Sequence, residues 1–154
     1  MTNIGLIGMG NMAQAIAKGF IDTGKVKAAN VFAFAPNQDK LKKNAGAIGF
    51  TPCASLAELA SKCDTLNAAC KPYQLQAVLA ELGTALKDKV LISVAAGWVF
   101  DTFNNMLNPA IDPYNTRIQC IMPNTPAMIG EGVMLFEKKK FKLNYQKKGL
   151  NLCF

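Results

Sequence analysis

Hydrophobic and polar positions along this 154-residue chain fall into short apolar runs that alternate with stretches of helical spacing. Residues 3–7 form an apolar run that leads into glycine and read as a buried strand. Over residues 11–21, Met12, Ile16 and Phe20 share one helical face and Gly24 supplies a stop, so a helix is predicted there. Residues 30–34, rich in Val and Phe, are the second strand. Residues 38–44 are predicted as a helix closed by Gly46, and a short third strand is expected around Phe50 and Thr51.

Ser55 followed by Glu58 has the spacing of a capping box, so a helix is predicted from residue 55 to about residue 62. Residues 64–70 read as a strand broken by Lys71-Pro72, residues 74–82 as a helix, and residues 89–95 as a strong strand. Residues 99–107 are helical, with Asp101 or the preceding turn as the cap. Residues 117–122 form a strand that ends in the turn Pro123-Asn124-Thr125-Pro126, and residues 131–136 form one more. This alternation predicts an α/β fold, a doubly wound and mainly parallel sheet with helices on both faces. Ligands of such sheets bind beyond the carboxyl ends of the strands, where the strand order reverses.

Composition narrows the function classes. The chain is 51% hydrophobic and 18% charged, enough apolar material for a packed core. Its formal charge of +7 is concentrated in residues 137–154, where Lys138, Lys139, Lys140, Lys142, Lys147 and Lys148 face only Glu137. The body is nearly neutral and presents no nucleic-acid-binding composition. The tail reads as a solvated basic end, with contact to phosphate or anionic lipid as the alternative. Five scattered cysteines without C-x-x-C spacing, and no histidine, exclude the zinc-site patterns and any Ser-His or Cys-His pair. Reduced thiols in a cytoplasmic protein are expected. The apolar stretch of residues 90–100 is too short to span a bilayer, so no membrane partner is expected.

The chemistry concentrates in Gly8-Met9-Gly10-Asn11-Met12-Ala13, a G-x-G-x-x-A placed between a strand and a helix. Gly8 permits a tight turn, Gly10 lets a pyrophosphate approach the backbone, and Ala13 lets the helix pack closely on the sheet. The free N–H groups and the positive dipole end of the helix then face the phosphates. This is a Rossmann-type dinucleotide-binding signature. The second strand ends in Ala35-Pro36-Asn37 without the acid that usually binds a ribose 2′-hydroxyl, so NADP (as NADPH) is favoured over NAD. Asn37, with Lys40, is positioned to bond a 2′-phosphate, and the alternative reading of Asn37 is a helix cap.

Four segments in order, Gly8–Ala13, Cys70-Lys71-Pro72-Tyr73-Gln74, Ser93-Val94-Ala95-Ala96-Gly97 and Met122-Pro123-Asn124-Thr125-Pro126-Ala127, resemble the signature segments of the pyrroline-5-carboxylate reductase family. The resemblance covers residues 3–136. It implies that Ile7, Gly8, Met9, Gly10, Asn11 and Met12 contact the pyrophosphate and adjoining ribose. Ala35, Pro36 and Asn37 would flank the adenosine end, and Ala69, Lys71 and Pro72 would bridge toward the nicotinamide. Ala95, Ala96 and Gly97 would pack near the nicotinamide ribose, and Asn124, Thr125 and Pro126 would wall the ring. For Lys71 the alternative is a plain surface charge. The implied reaction is hydride transfer from the nicotinamide to the C=N carbon of a small cyclic imino acid, giving proline.

The resemblance also marks departures. The family's helical C-terminal dimerisation domain has no counterpart here, and the sequence from Glu137 onward does not follow the family. A truncation or a frameshift near the lysine run is therefore expected, with residues 1–136 as the nucleotide-binding domain, residues 137–154 as a basic tail, and little or no turnover from the isolated chain. No catalytic residue and no metal ligand are assigned. A face left without its helices invites homo-oligomers, and Phe141, Leu143 and Tyr145 suit an added edge strand. Asn67 lies in a strand where the family is apolar. The competing functions are a self-standing nucleotide-binding or regulatory module and a 6-phosphogluconate or hydroxyacid type of dehydrogenase.

Overall fold

A computed structural model describes residues 2–106, 116–124, 126, 129 and 131–137 of the chain. Its elements are β1 (Ile4–Ile7), α1 (Asn11–Asp22), β2 (Val31–Phe34), α2 (Gln38–Ile48), β3 (Thr51–Pro52), α3 (Leu56–Lys62) and β4 (Thr65–Ala68). They continue with α4 (Pro72–Leu82), β5 (Val90–Ser93), α5 (Phe100–Met106), β6 (Arg117–Pro123) and β7 (Met134–Phe136). Short 3-10 turns at Ala28–Asn30 and Gly83–Leu86 complete the path.

The strands form one sheet in the order β3-β2-β1-β4-β5-β6-β7. All pairs through β6 are parallel, and β7 runs antiparallel to β6. The chain leaves β1 toward β2 and β3, then crosses back to β4 on the other side of β1. The order thus reverses between β1 and β4, which is where such sheets open a crevice.

Two cores lie on opposite faces of the sheet, as a doubly wound arrangement requires. One joins Leu6, Val31 and Ala33 to Ala13, Ile16 and Phe20 of α1 and Leu41 of α2. The other joins Ile7, Leu66, Leu91 and Ile118 to Leu59 of α3, Leu75 and Leu79 of α4, and Phe103 of α5. Alternate residues of β1 therefore enter different cores, and all four are buried.

Several predicted boundaries move, each for a local reason. The second helix does not close at Gly46. It runs to Ile48 and ends at Gly49, whose φ of 100° is the left-handed conformation that a helix stop needs. Pro72 does more than break the preceding strand. It occupies the first position of α4, where its missing N–H costs nothing, so that helix begins two residues earlier than position 74. The last strand is shorter than residues 131–136. The N–H of Glu131 is spent on the carbonyl of Pro126 (3.2 Å), and that of Val133 on Asn124 Oδ1 (2.9 Å). Asp101 lies inside the first turn of α5 rather than capping it. Leu107, Thr125 and the expected edge-strand residues Phe141, Leu143 and Tyr145 lie outside the described residues.

Candidate dinucleotide site

The turn after β1 is built from both of its neighbouring strands. The Gly8 N–H donates to the Phe34 carbonyl at the end of β2 (2.8 Å). On the other side Gly8 packs against the chain just past β4, so closely that a Cβ would lie 2.9 Å from Ala69 O and Cys70 N. Its φ of 96° is also one that a side chain disfavours. Gly8 is therefore required by the fold itself.

Gly10 is different. It has an ordinary φ of −76°, and an added Cβ would meet nothing within 4 Å. The protein's own packing gives no reason for a glycine there, whereas a group lying over the turn would. Gly10 caps α1 without a side chain, and the first helical turn carries no acid. The first N–H groups of a helix have no partner within it, so this end presents bare donors and a positive dipole to the crevice. Gln14 steadies the turn by donating from Nε2 to the Met9 carbonyl (3.2 Å).

The remaining predicted segments all follow strand ends on the same edge of the sheet. Ala35, Pro36 and Asn37 follow β2, Ala69, Lys71 and Pro72 follow β4, Ala95, Ala96 and Gly97 follow β5, and Asn124 and Pro126 follow β6. Asn11, Pro36, Asn37, Lys71, Pro72, Ala96, Gly97, Asn124 and Pro126 are exposed, with Met12 half-buried. Ile7, Met9 and Ala95 turn their side chains into the cores and leave only main-chain atoms to a ligand. Asn37 does act as a helix cap: its Oδ1 accepts from the Lys40 N–H at 2.9 Å. That bond occupies the oxygen only and leaves the amide Nδ2 as the group suited to a phosphate.

Three supporting side chains escaped the sequence reading. Gln38 Nε2 donates to the carbonyls of Ala35 (2.9 Å) and Cys53 (3.3 Å), tying the end of β2 to the end of β3. The buried Ser93 Oγ accepts from the Ala95 N–H (3.2 Å) and fixes the turn after β5. Glu137 reaches the start of α5 through the Phe100 N–H. Gln38 and Glu137 leave no local signal, because they bond main chain distant in sequence, whereas Ser93 bonds the N–H two residues on within a segment already singled out.

Three cysteines are held away from the thiolate form. Burial pushes the thiols of Cys53 and Cys70 up and that of Cys63 to about 12, so none is a thiolate near neutral pH. Cys53, Cys63 and Cys70 are free thiols. Among the described residues no group of His, Cys, Asp or Glu is placed to hold a metal, and no helix is long and apolar enough to cross a membrane.

Residues 3–97 match the family model described as NADP oxidoreductase coenzyme F420-dependent. Among curated proteins the chain is similar to pyrroline-5-carboxylate reductase of Treponema pallidum, with 36% identity over 138 residues, covering 89% of this chain and 51% of that protein. It is likewise 36% identical over 136 residues to pyrroline-5-carboxylate reductase 3 of Mus musculus, covering 88% of this chain and 47% of that protein. Among solved structures it is similar to Plasmodium falciparum pyrroline carboxylate reductase with NADP bound. The TM-score is 0.77 at 28% identity, covering 90% of this chain and 48% of the other. The chain thus spans about half the length of the curated relatives it matches.

Proposed function

The chain belongs to the family described as NADP oxidoreductase coenzyme F420-dependent, and from that membership and the relatives named above we propose that it is the dinucleotide-binding half of a pyrroline-5-carboxylate reductase. The observation that carries this reading is the pair of glycines after β1. Gly8 is demanded by the protein's own packing, while Gly10 is demanded only by something outside it.

The residues present fit a nicotinamide dinucleotide. The uncapped start of α1 receives the pyrophosphate on the N–H groups of Asn11 and Met12, with Gly10 leaving room for it. Asn37 Nδ2 and Lys40 favour the 2′-phosphate of NADP, and no carboxylate among Ala35, Pro36 and Asn37 repels it. Lys71 and Pro72 border the bridge between the phosphates and the nicotinamide. Ala95, Ala96 and Gly97 border the nicotinamide ribose, and the segment Asn124, Thr125 and Pro126 supplies one wall at the ring. The reduced nicotinamide, when bound, supplies the hydride for the C=N carbon of a cyclic imino acid. This chain's own contribution is orientation of the ring toward the acceptor. Residues 1–136 are the binding unit, and Glu137, the first residue of the basic segment 137–154, is tied back to it. A cytoplasmic setting suits the free thiols.

The experiment is a titration of the purified chain with NADPH and NADH, following nicotinamide fluorescence, with a proline-formation assay on the same sample. Saturable binding with NADPH the tighter ligand is expected, and absence of binding by both would refute the reading. Proline formation distinguishes a reductase from a nucleotide-binding module without turnover.

A further inference from the structure

We propose that Glu137 is a positioning residue that sets the width of the nicotinamide end of the crevice. The proposal rests on the dinucleotide reading above and extends it to a residue outside every signature segment.

The residue at the capping position of helix α5 has no polar side chain. The Val99 carbonyl accepts from the N–H groups of Thr102 (3.0 Å) and Phe103 (3.2 Å), which makes Val99 the capping position, yet its side chain is apolar. The Glu137 carboxylate, 37 residues away in sequence, accepts from the Phe100 N–H instead, with Oε2 at 3.0 Å and Oε1 at 3.3 Å. A carboxylate at a helix start also meets the positive end of the dipole.

Glu137 is held just as firmly on its other side. Its N–H donates to the Cys120 carbonyl (3.0 Å), and its own carbonyl accepts from Gln119 Nε2 (3.3 Å). Cys120 is the register partner of Ser93 in β5, whose hydroxyl holds the Ala95 N–H. The path from Ser93 through the turn to Phe100, across to Glu137 and back through Cys120 is therefore a closed loop. One side of that loop is the turn carrying Ala95, Ala96 and Gly97. The other side is the β6–β7 pair, which carries Asn124 and is closed by the bond from the Val133 N–H to Asn124 Oδ1. Glu137 thereby couples the turn expected at the nicotinamide ribose to the wall expected at the ring, while β1, α1 and the adenosine end stand outside the loop.

The test compares the whole chain with Glu137→Ala and Glu137→Gln by calorimetric titration with two probes. One is NADPH, and the other is 2′-phosphoadenosine 5′-diphosphate, which ends at the pyrophosphate. Glu137→Ala is expected to weaken NADPH about tenfold, the weight of a lost carboxylate cap, and to leave the shorter probe within about twofold. Glu137→Gln, which keeps an acceptor, falls between. Equal weakening of both probes marks a general loss of structure and overturns the proposal, as does unchanged NADPH binding. If the unaltered chain binds neither probe, the dinucleotide reading itself fails and the proposal falls with it.

Discussion

A Cβ on Gly8 would stand 2.9 Å from the carbonyl oxygen of Ala69, so the turn after β1 and the chain past β4 touch through the one residue type that lacks that atom. Backbone on both sides leaves nothing flexible to yield, and the φ of 96° adds strain for any side chain. Gly8→Ala is expected to cost about 2 kcal/mol or more. A urea unfolding midpoint equal to that of the unaltered chain would show that the contact has more give than this geometry allows.

Asn37 combines two roles that substitution separates. Its Oδ1 caps α2, so Asn37→Ala should lose about 1 kcal/mol of stability. Asn37→Asp keeps the cap and adds a negative charge where a 2′-phosphate would lie. The expected result is unchanged stability, NADPH weakened about tenfold and NADH unchanged or tighter, measured by fluorescence titration. Equal effects on both nucleotides would place the 2′-phosphate elsewhere.

Asn67 sits in β4 between its register partners Leu6 and Ile92, 2% exposed, and its Oδ1 finds no hydrogen-bond partner among the described residues. A buried acceptor without a partner costs about 1–3 kcal/mol. Asn67→Leu, similar in volume and fully apolar, should raise the unfolding free energy from urea titration by an amount in that range, with a higher midpoint. A lower midpoint would mean that the amide is satisfied in solution.

Asn67 also shows what the sequence can tell. The amide was visible as an anomaly because the family that the sequence resembles is apolar there, and the order of strands and helices was visible because the apolar runs are punctuated by glycine, proline or caps. The glycine loop was legible for the same reason: its residue types make sense only between a strand and a helix. What escaped depends on conformation or on distance along the chain. Gly46 and Gly49 are equal candidates for a helix stop until φ distinguishes them. The β7 boundary is decided by Asn124, nine residues away from the N–H it binds. Gly5 looks like a weak strand residue, yet a Cβ there would meet Leu66 Cδ2 at 2.9 Å and Cys63 Sγ at 3.0 Å. The bridges made by Gln38 and Glu137 join main chain that no local pattern connects.

Alkaline stability follows from the buried thiols. Burial, with the nearby Cys53 adding to it, raises Cys63 from 9.0 to about 12. Below pH 9 both folded and unfolded chains keep that proton and the thiol has no effect. Between pH 9 and about 12 only the unfolded chain releases it, so stability falls as pH rises, by at most about 1.4 kcal/mol per pH unit. Cys63→Ala should flatten this decline in unfolding midpoints measured on both sides of pH 9, leaving the smaller slope due to Cys53 and Cys70. An identical slope in the variant would show that Cys63 is not shielded.

Gly10 offers the sharpest test, because the protein leaves empty the space its side chain would take. Gly10→Ala has no steric reason to unfold, and any loss of stability should stay below about 1 kcal/mol. The same methyl group would stand where a pyrophosphate must approach the start of α1. The decisive measurement is NADPH affinity of Gly10→Ala beside the unaltered chain, with both unfolding midpoints recorded. Near-equal midpoints are expected, with affinity reduced about tenfold or more. Equal affinity in the two proteins would mean that no pyrophosphate approaches the start of α1.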